Sequence, residues 1–289
     1  MLVAGFPAGA FAANCYIVAP APGEQCVIIA PGQDAQPGID EVLAEHRLRS
    51  AAILLTHGHI DHVWSVAPVC GAKGIPAYIH PDDRVLLSDP AKGFPLGTGQ
   101  QLFGGLEFTE PDDVKELADG MTLSLVGLEI VVNHAPGHTE GSVAFRLPLD
   151  PPDSAQGKSK IGAAETPDAA AASDGHRPGG ILFSGDLLFA GSIGRTDLPG
   201  GDYPTILRSL ARVCLTLPDE TVVLSGHGPQ TTVGAHASPR RSVTDAAQDT
   251  VSLCMLLSDV NRRAFRIEVI ERDHGVLGLE HQAFQRVRC

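Results

Sequence analysis

The stretch Thr56-His57-Gly58-His59-Ile60-Asp61-His62 packs three imidazoles and a carboxylate into six consecutive positions, 57 to 62. It follows directly on the aliphatic run Ile53–Leu55, which reads as a buried strand. Side chains on a strand end and the loop beyond it converge on one point, and neutral imidazole with carboxylate is the donor set of Zn2+, Mn2+ or Fe2+. A plain polar turn has little use for this spacing. The fold must therefore gather further donors at the end of a sheet.

Three later segments share the pattern. His138 lies in Ala135-Pro136-Gly137-His138-Thr139-Glu140-Gly141-Ser142, Asp186 ends Phe183-Ser184-Gly185-Asp186, and His227 lies in Leu224-Ser225-Gly226-His227-Gly228-Pro229. In each a glycine precedes a ligand-type residue beside a strand, and a residue without Cβ lets the chain curl so that the side chain points into a shared site. Thr56, Thr139, Ser184 and Ser225 adjoin these positions and read either as orienting groups or as ordinary strand-end hydrogen-bond partners.

The rest of the chain supplies an α/β frame. The uncharged stretch Leu2–Gly23 lacks a basic start and is broken by Pro7, Asn14, Pro20 and Pro22, so it reads as two strands rather than an export signal or a membrane span. Strands are expected at Cys15–Val18, within that stretch, and at Cys26–Ala30, Ile53–Thr56 and Ala77–Ile79, with helices at Ile39–Leu48 and Asp82–Leu87. Strands return at Thr122–Leu125, Leu128–Asn133, Ser142–Leu147, Ile181–Ser184 and Thr221–Leu224, with a helix over Tyr203–Leu217. Sheets with helices in both halves indicate a layered α/β protein.

Two segments stand apart. Residues 150–179 are rich in Ala, Pro, Asp, Ser and Gly and read as a disordered insertion, because they bury too little apolar surface to offset their ordering entropy. Residues 236–289 form an unmatched tail in which Thr250–Asp259 is apolar enough for a helix and Ala264–Ile270 alternates like a strand: an added subdomain, an oligomer contact or sequence from a shifted reading frame. Residues 1–235, less the insertion, make one catalytic domain.

A formal charge of −13 argues against nucleic acid or an anionic membrane as the main partner, since both reward a basic face. The six cysteines show no paired spacing, as expected of reduced thiols in a cytoplasmic protein. Nothing in the sequence sets the oligomeric state.

Taken in order, these motifs resemble those of the metallo-β-lactamase-fold hydrolase superfamily, and within it the short glyoxalase II-like enzymes, from about Leu2 to Thr232. The resemblance implies a four-layer αββα sandwich carrying two divalent metal ions, with Zn2+ expected and Fe or Mn as alternatives. It places His57, His59 and His138 on one metal and Asp61, His62 and His227 on the second, with Asp186 bridging. Asp61 and Asp186 are then the catalytic carboxylates. A metal-bound hydroxide, available at neutral pH because the ion acidifies its water, would attack the carbonyl of an S-2-hydroxyacyl thioester.

The segment Gly194-Arg195-Thr196-Asp197 also resembles glyoxalase II and the persulfide dioxygenases; Arg195 is a candidate contact for a carboxylate-bearing substrate, or else the partner of Asp197 in a loop ion pair. The chain departs from the family at Ala30, where an aspartate is usual, and after the Gly226-His227-Gly228-Pro229 segment, where an acidic residue and an Asn-Pro pair are missing. Other readings are a mononuclear iron persulfide dioxygenase, a lactonase or other metallo-hydrolase, and a degenerate, non-enzymatic member with a weakened metal site.

Overall fold

The computed structural model describes residues 1–103, 106–148 and 179–236. The first half of the chain runs β1 (Leu2–Ala8), β2 (Ala13–Ala19), β3 (Gln25–Ile29), α1 (Gln36–His46), β4 (Arg49–Leu54), α2 (Ile60–Val63), α3 (Val66–Lys73), β5 (Ala77–Ile79), α4 (Pro81–Arg84), α5 (Thr98–Phe103) and β6 (Val114–Glu116). Its six strands form one sheet in sequence order. Strands β1 to β3 pair antiparallel and β3 to β6 parallel.

The second half runs β7 (Thr122–Leu125), β8 (Leu128–His134), β9 (Val143–Leu147), β10 (Ile181–Gly185), β11 (Leu188–Phe189), β12 (Ser192–Ile193), α6 (Tyr203–Ser209), β13 (Val222–Ser225) and β14 (Thr231–Thr232). Its main sheet has the order β14-β13-β10-β9-β8-β7, while β11 and β12 form a separate small ribbon. Strands β9 and β10 are antiparallel neighbours with Leu147 opposite Ile181, so the chain leaves and re-enters this sheet at adjacent points.

Alternation along the strands builds the layers, because successive side chains point to opposite faces. Ile17, Ile28 and Ile53 pack with Ile39 of α1 and with Val66 and Val69 of α3 on the outer face of the first sheet. Their neighbours Val18, Ile29 and Leu54 face inward against Ile130, Val132, Phe145 and Phe183 of the second sheet. Ala144, Leu182 and Val223 then cover the opposite face of the second sheet and meet Ile206, Leu207 and Leu210. Helix, sheet, sheet and helix is the expected αββα sandwich.

The two strands expected in Leu2–Gly23 are the hairpin β1–β2. The helix expected from Tyr203 is α6, continued by a π turn over Leu210–Cys214. Helix α3 was not expected, since Pro68 and Gly71 lie inside it. Apart from Gly179 and His236, the insertion and tail readings lie outside the described residues. Among the described residues, no helix is long and apolar enough to cross a membrane.

Candidate metal centre

Every motif residue singled out as a metal ligand reaches one edge of the sandwich, and three groups of donor atoms lie within 4.8 Å of one another: His57, His59 and His138; Asp61, His62 and His227; and His57, His62 and Asp186. His57 lies three residues beyond the end of β4, and Asp61 and His62 sit in the single turn of α2. His138, Asp186 and His227 arrive from the second sheet, after β8, β10 and β13. The centre therefore exists only where the two sheets meet.

The imidazole nitrogens point into the cluster for identifiable reasons. Thr56 Oγ1 lies 3.2 Å from His57 Nδ1, and His57 Nε2 is buried without a hydrogen-bond partner. His138 Nδ1 lies 2.8 Å from the Arg195 carbonyl, which can only accept, so Nδ1 carries the proton and Nε2 presents its lone pair. That Nε2 is 2.9 Å from His59 Nδ1. In the second group His227 Nε2 is 3.1 Å from both His62 Nε2 and Asp61 Oδ2. Asp186 lies between the groups, with Oδ1 at 3.3 Å from His62 Nε2 and Oδ2 at 3.6 Å from both His138 Nε2 and His227 Nε2. Bare nitrogens converging on carboxylates are a donor set that fits divalent cations.

The charge pattern agrees with that fit. Burial and the neighbouring imidazoles hold His57 well below its ordinary pKa and bring His59 down to about 3, so both are neutral donors at pH 7. Burial would lower His62 too, but the carboxylates of Asp186 and Asp61 override it and push it up to about 9. Burial works to raise both carboxyls, yet His62 and the other imidazoles beside them keep Asp61 and Asp186 below the usual carboxylate range.

The first sheet also reaches across to fix His227. Tyr16 OH donates to the Ser225 carbonyl at 2.7 Å, and Asn14 Nδ2 donates to the Ser225 and Gly228 carbonyls at 3.0 and 2.9 Å. Neither Tyr16 nor Asn14 carries a motif, and sequence reasoning missed both. Of the four hydroxyl residues, Thr56 touches a candidate ligand ring. Ser184 and Ser225 hold backbone carbonyls, of Leu188 at 2.9 Å and His227 at 2.8 Å.

The glycines before the ligands do two different jobs. Gly185 has φ of 52°, a left-handed turn that suits glycine. Gly226 is a close approach instead: a Cβ there would overlap Asp186 Oδ1 and come within 2.9 Å of His62 Cε1. Ala30, where the resemblance expects an aspartate, is buried with φ of 50° and donates its N–H to the Leu54 carbonyl at 3.1 Å.

Arg195 is exposed and forms a two-point ion pair with Asp197 at 2.7 and 2.8 Å. Its carbonyl, through His138, is the part of the residue that touches the cluster. A further group, His80, Asp82 and His134, lies apart. The rings of His80 and His134 stack at 4.1 Å with planes 5° apart, so their in-plane lone pairs run parallel and do not converge on one ion.

Fold and centre together define a metallo-hydrolase frame, and comparison with known proteins supplies the family. The chain matches the Metallo-beta-lactamase superfamily over residues 8–151 and 157–227 and belongs to it. Members are mostly hydrolytic enzymes and bind divalent metals, typically two. It is 44% identical over 237 residues to protein Rv2581c of Mycobacterium tuberculosis, covering 81% of this chain and 94% of the relative. Identity to the hydroxyacylglutathione hydrolase GloC of Haemophilus influenzae is 29% over 232 residues, 79% of this chain and 91% of that protein.

Among solved structures, the BLEG-1 B3 metallo-beta-lactamase superposes with a TM-score of 0.63 at 32% identity, over 84% of this chain and 100% of that one. TTHA1623, crystallised in a di-iron-bound form, gives 0.58 at 35% identity over 82% and 97%.

Proposed function

We propose that the chain is a dinuclear metallo-hydrolase cleaving S-2-hydroxyacyl thioesters, a glyoxalase II-like activity on a small-molecule substrate in the cytoplasm. The observation that carries the reading is the pair of donor triads with Asp186 between them. The likeness to GloC supports the substrate class. His57, His59 and His138 would hold one ion, Asp61, His62 and His227 the other, and Asp186 both. When bound, two such ions supply an acidified water and a polarised carbonyl.

The chain's own groups do the rest. Asp61 and Asp186 stay ionised at neutral pH, so each offers lone pairs to an ion and can accept a hydrogen bond that orients the attacking water. Thr56 and the Arg195 carbonyl orient the rings of His57 and His138. Arg195 stands within this loop, and a carboxylate-bearing substrate would compete with Asp197 for its guanidinium. Zinc suits the mixed nitrogen and oxygen donors. Iron is the second reading, favoured by the di-iron form of TTHA1623.

The test combines metal analysis with a thioester absorbance assay. About two metals per chain and zinc-supported hydrolysis are expected, both lost in His59→Ala and Asp186→Ala. Iron-dependent oxygen uptake with a persulfide, and no thioester cleavage, would replace this reading with a dioxygenase. A chain that takes up no metal would make it a degenerate member.

A further inference from the structure

A buried carboxylate outside the donor set ties the two halves of the centre together. Asp83, in α4, is 2% exposed and makes no contact with a candidate ligand side chain in the hydrogen-bond network. Its Oδ2 accepts from the Gly58 N–H at 2.8 Å and from Thr139 Oγ1 at 2.7 Å, and its Oδ1 accepts from the Gly141 N–H at 2.8 Å. Gly58 lies between His57 and His59 in the first half of the chain; Thr139 and Gly141 follow His138 in the second.

The surroundings are shaped to this contact. A Cβ at Gly141 would sit 2.7 Å from the Asp83 carboxylate, and one at Gly58 would sit 2.8 Å from the Asp83 carbonyl, so only residues without side chains admit it. Ser142 completes the arrangement: its hydroxyl lies 2.7 Å from Thr139 Oγ1, whose own proton goes to Asp83, and it accepts the Thr139 N–H at 3.1 Å. Hydrogen bonds from backbone N–H to an ionised carboxylate are among the stronger ones, and burial excludes competing water.

We propose that Asp83 is a positioning residue that sets the separation of the His57/His59 loop from the His138 loop, and so the geometry of the three-histidine metal position. The inference rests on the dinuclear reading. It predicts an asymmetry, because Asp83 bonds both loops that carry the three-histidine group and neither Asp61, His62, His227 nor the loops after β10 and β13.

Cobalt(II) titration followed by visible absorption, on the full chain, tests it without reference to turnover. Wild type should take up about two ions. Asp83→Ala should weaken the three-histidine position by about 10- to 100-fold and alter its absorption band, leaving the other position near wild type. Asp83→Asn keeps one acceptor oxygen and turns its amide toward one N–H, so it should recover part of the affinity.

Thr139→Val removes one of the three bonds to Asp83, together with the Ser142 contact, and should give a smaller loss in the same position, which keeps the question answerable if Asp83→Ala does not fold. Variants that bind both ions with wild-type affinity and spectra would overturn the role of Asp83 alone. So would equal weakening of both positions in Asp83→Asn and Thr139→Val. Wild type that binds no cobalt would overturn the dinuclear reading itself.

Discussion

Replacing Gly226 by alanine directs a single methyl group at the centre. The new Cβ would overlap Asp186 Oδ1 and lie 2.9 Å from His62 Cε1, against ordinary contact distances of about 3.5–4.0 Å. Relief requires the carboxylate, the ring or the strand end to retreat by an amount well beyond the roughly 0.5 Å that a functional constellation tolerates. The neighbouring strands give little freedom, because the Gly226 N–H donates to the Gly185 carbonyl at 2.8 Å and its carbonyl accepts from the Asn14 N–H at 2.7 Å.

Overpacking of this kind costs about 1–3 kcal/mol. In a domain of this size each kcal/mol lowers Tm by about 2–4 °C, so a fall of roughly 2–12 °C is expected in the metal-free protein. Metal content should drop from about two ions per chain toward one, as His62 and Asp186 leave register with His227. Gly228→Ala is the control. Its φ of 73° makes alanine unfavourable by about 1–2 kcal/mol, but no atom lies within 4 Å of the added Cβ, so stability falls while both metals stay. Differential scanning fluorimetry and elemental analysis read the two effects separately. A Gly226→Ala protein with two metals and an unchanged Tm would refute the reasoning.

Two further outcomes are expected. His62 is pushed up to about 9 by Asp186 and Asp61, so it is protonated in the metal-free protein at pH 7.5, whereas His57 and His59 are already neutral. Metal uptake at that pH should release about one proton from His62, and affinity should tighten by about tenfold per pH unit until pH approaches 9. Calorimetry in buffers of different ionisation enthalpy measures this, and zero release at pH 7.5 would contradict it. The second outcome concerns thiols: Cys15, Cys26, Cys70 and Cys214 are buried, and burial pushes Cys26 up to about 11 and Cys70 and Cys214 up to about 12. In a Cys254→Ser, Cys289→Ser protein, a disulfide reagent at pH 8 should find no fast-reacting thiol until denaturant is added; stoichiometric labelling of the native chain would contradict that burial.

Local signals carried much of this fold into the sequence. Ile28-Ile29 and Ile53-Leu54 are short aliphatic runs, and their burial on both faces is what a sheet covered by helices on one side and a second sheet on the other requires. The candidate ligands were legible because each sits in a short segment that places it beside a strand. What escaped depends on distance along the chain. Asp83 is an unremarkable acidic residue in sequence, and its partners Gly58, Thr139 and Gly141 become neighbours only when the sheets pack. Tyr16 and Asn14 meet Ser225 for the same reason. Helix α3 was hidden by Pro68 and Gly71, whose unfavourable propensity is outweighed by packing of Val66, Val69 and Cys70 against the first sheet.

The pairing of Leu147 with Ile181 has an engineering consequence. Everything between them enters and leaves through one gap at the end of the β9–β10 pair opposite to Asp186, as the closing turn of a hairpin would. Among the described residues, the register on both sides of the gap is set by strand pairing within the second sheet, and the donor atoms of the centre come from residues outside it. That gap is a natural port in the molecule: residues 149–178 should be exchangeable for a turn of two to five residues, or for a reporter domain with adjacent termini, without disturbing the centre.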